Sequence, residues 1–414
     1  MPRLVRSPAE YLAWLAETYG DFVHLRFGDR NFYVVSDGDT IRDVLTTQAA
    51  QFEKFPRIDA ALGLFGEGLL TSEEPEHMRQ RRMLQPAFHH QQVLGYSEQI
   101  LQCTRELLDT WSDGQVLDMA VEMNRLTLEI ICRTMFGSSA AVYAREVGHL
   151  LETILPMLNR LVLPFGTLRL SLPLPSTRAY FRALRRLDEI LESMVETGDS
   201  GLLSMLLAAR DEQGRPLSAK ELRDQVITIF VAGHETTGNG LAWILYLAAQ
   251  QPQVWARLRD EASPGIDFER LPYARAVAQE GWRLYPPVWI MGRRALQDVR
   301  VGELDVPRNT VVLISQFALH RRSATFERSQ EFRPERWLEQ APPRWGYLPF
   351  GAGPRVCIGE RFALYETVLI LASLAERFNI EPRFGRVRPG AYLTLRPKPG
   401  VPVRVVNPNR CPPQ

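Results

Sequence analysis

The sequence predicts a mainly α-helical protein with a smaller β-rich part. Three observations carry that prediction. Apolar residues recur at helical spacing through most of the chain from about Asp39 to Leu284. Alternating apolar and polar segments, which mark strands, are confined mainly to 21–36, 296–315 and 391–406. One helical pattern, from Ala219 to Gln251, runs for more than thirty residues without a proline, which is long for a globular protein.

The first element, in MPRLVRSPAEYLAWLAETYGD, reads as a short amphipathic helix capped by Ser7, with Pro8 in its first turn. FVHLRFG and NFYVVSD alternate around Gly28-Asp29-Arg30 and predict a hairpin. Ser218-Ala219-Lys220-Glu221 is a capping box that opens the long helix. The segment RRALQDVRVGELDVPRNTVVLI returns to strands and turns. A helix follows Cys357 (ERFALYETVLILASLAERF), and AYLTLRPKPGVPVRVV predicts a closing hairpin. At ~150 residues per domain, the 414 residues point to about three domains. No repeat, low-complexity tract or Gly/Ser linker divides them, so one domain over 1–414 is expected.

Composition excludes several classes. Lys+Arg 49 against Asp+Glu 48 leaves a net charge of +1, so nothing favours nucleic acid or an anionic membrane. Lysine occurs only at Lys54, Lys220 and Lys398, and the other 46 basic positions are arginine. A biased genome explains most of that excess, although arginine also suits buried carboxylates and anionic cofactors. Hydrophobic content of 45% and charged content of 23% are those of a soluble globular protein. Cys103, Cys132, Cys357 and Cys411 are too few and too scattered for a disulfide framework, and no CxxC pair marks zinc. The N-terminus lacks the apolar core of a signal peptide. Every apolar stretch is broken before the ~20 residues a bilayer requires. A cytoplasmic protein without a transmembrane anchor is expected.

The strongest chemical signal is Phe350-Gly351-Ala352-Gly353-Pro354-Arg355-Val356-Cys357-Ile358-Gly359. Glycines let the backbone approach a flat or bulky partner. The N–H groups of the following helix start, with Arg355, favour a thiolate at Cys357. A phosphate loop is the rival reading, but the Gly-Lys-Ser/Thr ending is missing.

This decapeptide resembles the haem-binding loop of the cytochrome P-450 family, the haem-thiolate monooxygenases. Phe350, Gly351, Gly353, Arg355, Cys357 and Gly359 hold the fixed positions of that motif. The resemblance implies a cytochrome P-450 fold with a long central helix over haem b (iron protoporphyrin IX). It implies Cys357 as the proximal iron ligand, whose electron density favours O–O cleavage.

Two further motifs support the resemblance. Glu280-Gly281-Trp282-Arg283 resembles the family's E-x-x-R pair, whose members share a helix face. The helix then stops at Tyr285-Pro286-Pro287. Phe332-Arg333-Pro334-Glu335-Arg336-Trp337 resembles the segment that completes a buried Glu280–Arg283–Arg336 network. The expected role of the network is to hold the haem loop. In the long helix, Ala232-Gly233-His234-Glu235-Thr236-Thr237 resembles the oxygen-binding groove. Ala232 and Gly233 would then face the cofactor, and Glu235 and Thr236 would deliver protons. Gly233, Gly238 and Gly240 each cost about 1 kcal/mol relative to alanine in a helix. A zinc protease is the rival, since His234-Glu235 begins HExxH. Position 238 is glycine, however, so the second ligand is missing. His234 is expected to pack or face solvent.

Haem propionates want arginine forks. His77 and Arg81 lie four apart in EHMRQRRML and resemble the propionate-binding segment, while Arg79 and Arg82 read mainly as a solvated face. Arg355 and Arg293 match the other donors, with Arg294 left open beside Arg293. On the substrate side, Ile58 to Leu70 is apolar and Gly-rich, like a mobile loop, and it places Leu69 and Leu70 near a pocket. Val231, Val288, Trp289 and Ile290 are further lining candidates. Leu161–Gly166 and Leu170–Pro175 resemble the mouth between two lid helices. Such a lining argues for an apolar small molecule.

The resemblance therefore implies a monooxygenase that hydroxylates a fatty acid, terpenoid or carotenoid with O2 and two electrons. No GxGxxG fold is present. A separate ferredoxin- or flavodoxin-type donor with its NAD(P)H reductase is expected, docking near Arg355 and Arg361. A peroxide-driven member would usually lack the Glu235-Thr236 pair. A rearranging member stays open, and a haem sensor would need no proton relay.

Overall fold

The protein is described by a computed structural model that covers residues 7–55, 63–137, 142–161, 170, 172, 174–197, 201–263 and 265–408. Residues 58–62 of the Gly-rich segment, Val162–Gly166, Ser171, Pro173 and Cys411 lie outside the described residues. The helices of eight or more residues are α1 (Pro8–Tyr19), α2 (Glu76–Leu84), α3 (Ser97–Asp109), α4 (Met119–Phe136), α5 (Ala144–Leu161), α6 (Pro175–Thr197), α7 (Gly201–Ala208), α8 (Ala219–Ala248), α9 (Pro252–Ala262), α10 (Pro272–Leu284) and α11 (Glu360–Arg377). Among the described residues no helix is long and apolar enough to cross a membrane.

The chain divides into two compact units, Met1–Pro56 with Thr104–Met123 and Thr236–Gln414, and Arg57–Cys103 with Asn124–Glu235. Among the described residues the first unit holds every strand. Strands β1 (Phe22–Phe27) and β2 (Arg30–Val35) form the expected hairpin, turning at Gly28 with φ +59°. They join β3 (Phe52–Phe55), β5 (Met291–Ala295) and β8 (Val311–Ile314) in a five-stranded sheet of order β1-β2-β8-β5-β3, in which β2 and β8 run parallel. One face of this sheet buries Val35, Ile41, Val44, Leu45 and Ile314 in a common cluster.

The closing hairpin is not a hairpin. β11 (Leu395–Lys398) pairs with β10 (Arg388–Ala391), whereas β12 (Pro402–Val406) pairs with β4 (Val116–Asp118) and β9 (Asn379–Pro382). Asp118 causes the parting of ways. Its Oδ1 accepts the Val401 amide at 2.8 Å, and a Cβ on Gly400 would lie 2.2 Å from its Oδ2. The remaining strands, β6 (Val299–Val301) and β7 (Leu304–Val306), form a small ribbon. Strands β3, β4 and β9 are only three or four residues long, too short for alternation to show. Ser7 precedes α1 as expected, but its hydroxyl makes no capping bond.

The capping box of α8 forms. The Ser218 amide donates to Glu221 Oε2 at 2.7 Å, and the Glu221 amide to Ser218 Oγ at 3.3 Å. The helix has 30 residues and stops at Ala248, three before the expected Gln251. Proline at 252 begins α9 and disfavours helical geometry at the residue before it.

The glycines of α8 have packing reasons. In the first unit a Cβ on Gly240 would lie 2.9 Å from Trp282 Nε1, and one on Gly281 would lie 2.2 Å from Ile244 Cγ1. Small residues on both helices thus let α8 and α10 cross closely. Trp243 stacks on Tyr285 at 3.9 Å and donates to the Leu395 carbonyl at 2.8 Å. In the second unit, Phe230 of α8 stacks on Phe136 of α4 at 4.4 Å, and a Cβ on Gly233 would lie 2.7 Å from Ile131 Cδ1.

Candidate active site

In the first unit the Cys357 loop is built by its glycines. Gly351 and Gly353 both have φ +73°, a region costly for other residues. A Cβ on Gly353 would also fall 1.8 Å from the Leu45 carbonyl oxygen. The Cys357 amide donates to the Phe350 carbonyl at 2.9 Å and closes the loop. Cys357 stands exposed just ahead of Gly359, the cap of α11, and Arg355 is half-buried. Phe350 sets its edge against Trp282 of α10, 5.1 Å between centroids.

Helix α10 also carries the ion network. Glu280 and Arg283 have fully buried side chains. Arg283 Nε and Nη2 form a fork on the Glu280 carboxylate at 2.8 and 2.9 Å. Its remaining donors meet the carbonyls of His320, Ser329 and Glu331 at 2.6–3.0 Å. Glu280 accepts in addition from Arg336 Nε at 3.1 Å, Trp337 Nε1 at 2.9 Å and the Arg333 amide at 2.9 Å. The structure brings Glu280, Arg283 and Arg336 together. It adds Trp337, the last residue of the Phe332–Trp337 segment, to which no role was given, and His320, which no motif singled out.

His320 links this network to the loop. Its carbonyl meets Arg283, and its Nε2 accepts the amide of Leu348, just ahead of Phe350, at 2.8 Å. Burial, then the charges of Arg283 and Arg321, push its pKa down from 6.5 to about 3. A histidine depressed on folding contributes fully above its unfolded pKa, and that contribution is lost as pH falls through the window between the two values. Stability is therefore expected to fall with a slope approaching 1.4 kcal/mol per pH unit from this residue, about pH 6 to pH 4. Urea midpoints across that range should fall less steeply in His320→Gln. Equal slopes would remove His320 as the cause.

Strand β5 separates two arginines the motif left open. Neighbouring residues of a strand point to opposite faces. Arg294 is committed to Glu53, with Nε on Oε1 at 2.5 Å. Arg293 is half-buried and faces the other way, its Nη1 on its own neighbour's carbonyl at 2.9 Å. Val288 is exposed. Trp289 and Ile290 pack against a cluster that includes Leu12, Leu15, Val23 and Val34. The Trp289 indole donates to the Tyr392 carbonyl at 2.8 Å, so core packing accounts for this residue.

The second unit holds the other half of the motif residues. His77 is buried on α2 with Nδ1 2.9 Å from Glu74 Oε1, and Arg81 is half-buried one turn on. Arg79 is not a solvated residue. It pairs with Glu76, Glu221 and, at 3.4 Å, the buried Asp211. Arg82 pairs with Glu212.

Between Leu222 and Leu245, α8 is buried except at Arg223, Ile229, Ala232, Gly233 and Thr236. Ala232 and Gly233 follow Ile229 by three and four residues and precede Thr236 by four and three, so the last four form one accessible stripe. Val231, His234 and Glu235 are buried off this stripe, and His234 Nδ1 meets the Phe230 carbonyl at 2.7 Å. The helix turn thus separates Glu235 from its neighbour Thr236.

The Gly-rich segment reads as mobile in sequence, yet residues 63–70 are strapped to α8. Asp224 Oδ2 accepts the Glu67 amide at 2.9 Å, and Gln225 Oε1 accepts the Leu69 amide at 2.9 Å. Arg223 Nη1 donates to the Leu64 carbonyl at 2.7 Å. A Cβ on Gly66 would lie 2.1 Å from Asp224 Oδ2, and one on Gly68 2.4 Å from Thr228 Oγ1. These glycines serve close approach instead of motion. Leu69 is half-buried and Leu70 exposed.

An iron macrocycle with two carboxylates asks for a soft anionic donor, arginine partners and a helix face without bulk. The exposed thiol of Cys357, the half-buried Arg293 and Arg355, and the accessible Ala232 and Gly233 have those chemistries. The residues fit a haem-dependent oxidoreductase. Comparison with known proteins is decisive about the class: the cytochrome P-450 family profile matches residues 3–401. The chain belongs to that family; it is a monooxygenase, and its cofactor is haem.

Similar proteins include cyclooctatin synthase of Streptomyces melanosporofaciens, 34% identical over 96% of this chain and 91% of that protein. Cyclooctat-9-en-7-ol 5-monooxygenase of the same organism is 36% identical over 92% of this chain and 86% of its own. Pentalenene oxygenase of Streptomyces avermitilis is 32% identical over 95% and 91%.

Proposed function

We propose that this protein works as one cytoplasmic cytochrome P-450 domain and hydroxylates an apolar terpenoid. The accessible stripe on α8, Ile229, Ala232, Gly233 and the hydroxyl-bearing Thr236, is the observation that carries the reading. The relatives named for cyclooctat-9-en-7-ol and pentalenene support the substrate class.

Cys357 holds the iron as thiolate, and its Gly-rich loop lets the backbone come close. Arg293, Arg355, Arg81 and His77 bind the propionates. Arg293 is preferred to Arg294 because Arg294 is already neutralised by Glu53. Bound haem supplies oxygen activation, to which a thiolate ligand contributes electron density. Thr236 holds a proton at its hydroxyl, and Glu235 replenishes it from the buried side of the helix. Ile229 and the strapped loop at Leu69 and Leu70 keep bulk water away. Electrons come from a separate ferredoxin- or flavodoxin-type donor with an NAD(P)H reductase.

The test combines the haem-loaded protein with such a donor, its reductase, NADPH and labelled O2 over a panel of terpenes. One labelled oxygen atom in the product is expected. Turnover with peroxide but none with O2 and reductase would replace this reading with a peroxide-driven one. Thr236→Ala is expected to bind haem normally yet divert electrons to hydrogen peroxide. Product per NADPH should fall roughly 100-fold, the lower end of the range for a positioned proton donor. Unchanged coupling between NADPH and product would remove Thr236 from the relay.

A further inference from the structure

We propose that Gln225 is a specificity-determining hydrogen-bond donor for an oxygen atom, hydroxyl or carbonyl, already present on the otherwise apolar substrate. The inference rests on the terpenoid-oxidation reading and sharpens it. The protein takes a skeleton that an earlier oxygen-introducing reaction has supplied.

Three observations within the second unit carry it. Gln225 is fully buried, and its Nε2 has no hydrogen-bond partner. A buried amide left unsatisfied costs about 1–3 kcal/mol, so such a group is rare unless something answers it. Second, the amide cannot be flipped to escape this. Its Oε1 accepts the Leu69 amide at 2.9 Å, and exchanging oxygen for nitrogen would set two donors against each other. The donor atom is therefore assigned by the protein's own backbone. Third, Ile229 and Ala232 follow Gln225 at four and seven residues, so the buried Gln225 lies on the same side of α8 as the accessible stripe, about 10 Å along the axis from Ala232. It also touches the loop that presents Leu69. The residues of α8 beside it are answered by the same loop: Asp224 holds the Glu67 amide, and Arg223 holds the Leu64 carbonyl. An apolar surface with one unanswered donor is the pattern of a site that reads a single polar group on a hydrocarbon. A spacing of about 10 Å places that group well away from the carbon near Ala232, which suits a terpenoid-sized skeleton.

The experiment titrates the haem-loaded protein with matched pairs: cedrol and cedrane, dihydrophytol and phytane, 1-hexadecanol and hexadecane. The spin-state shift reports binding, and the reduced carbonyl spectrum confirms that the haem site itself is intact. At least one alcohol is expected to bind about tenfold more tightly than its hydrocarbon, the fold-change of one neutral hydrogen bond. Gln225→Met should abolish that preference; it also releases the Leu69 amide, so the ratio within each pair, not the absolute affinity, is the readout. Asp224→Asn loosens the same loop without touching the donor, and it should weaken both members of a pair while keeping their ratio. A trapped water as the real partner of Nε2 would leave the preference the same in Gln225→Met, and that result overturns the proposal. So does loss of preference in Asp224→Asn, which would make Gln225 merely a loop fastener. No shift with any alcohol, or no preference in the parent protein, also overturns it. A normal carbonyl spectrum in that case leaves the monooxygenase reading standing.

Discussion

Replacing Cys357 with alanine is expected to abolish the red-shifted Soret band of the reduced carbonyl complex completely. The loop should survive the change. Its closure is made by the Cys357 amide on the Phe350 carbonyl, and its turns by Gly351 and Gly353, none of which uses the sulfur. The effect can thus be read as loss of a ligand and not of a fold. The other described cysteines cannot take its place. Cys103 and Cys132 are buried, and burial pushes the Cys132 thiol far up, so that it stays protonated. Cys132→Ala is the matching control and should keep the band. Haem content and the carbonyl spectrum of both variants check this. A retained red-shifted band in Cys357→Ala would remove the ligand assignment.

Arg283→Ala carries the largest expected effect on stability. Its side chain is completely buried, and so is the carboxylate it forks. Removal leaves a buried carboxylate with less positive charge around it and takes the donor from three carbonyl groups. Breaking a buried pair in this way costs about 3–5 kcal/mol, against a typical total of about 5–15 kcal/mol. Arg283→Lys should recover only part of the loss, because an ammonium cannot make the fork on Glu280. Arg336→Ala should be milder, since Arg336 is 11% exposed and offers Glu280 only one bond, at 3.1 Å. Urea denaturation of the three variants gives the ranking directly. An Arg336 variant less stable than the Arg283 variant would reverse the proposed centre of the network.

The parts legible in the sequence were those set by local chemistry. Gly351, Gly353 and Cys357 could be read together because a tight loop ahead of a helix needs those residue types at that spacing. The start of α8 was legible because the Ser218–Glu221 box is a bond between near neighbours. Its end lies three residues before the expected one, because Ala248 to Gln251 contain no glycine or proline to mark a stop, while the coming proline already disfavours the helix. The last strands were misread for a different reason. Alternation shows that a segment is extended but not what it pairs with, and Asp118 draws β12 away from β11.

Some roles had no signal in the chain order at all. The glycines near Leu69 looked like flexibility, but Asp224 and Thr228, more than 150 positions later, leave no room for a side chain there. His320 belongs to no motif and Trp337 had no role within its own, yet both attach to the Glu280–Arg283 pair. Arg293 and Arg294 are identical in sequence logic, and only the opposite faces of a strand, with Glu53 on one of them, separate them.

By itself, then, the sequence determined the family, the haem and the mainly helical class, and it singled out Cys357 as the thiol to test. These depend on residue type and short spacing, which a linear chain displays in full. The tertiary structure decided which arginine is already neutralised, which glycines are clamped, which face of α8 is accessible and which buried donor is left unanswered. Those are matters of who meets whom across the fold, and burial makes such meetings costly to leave incomplete.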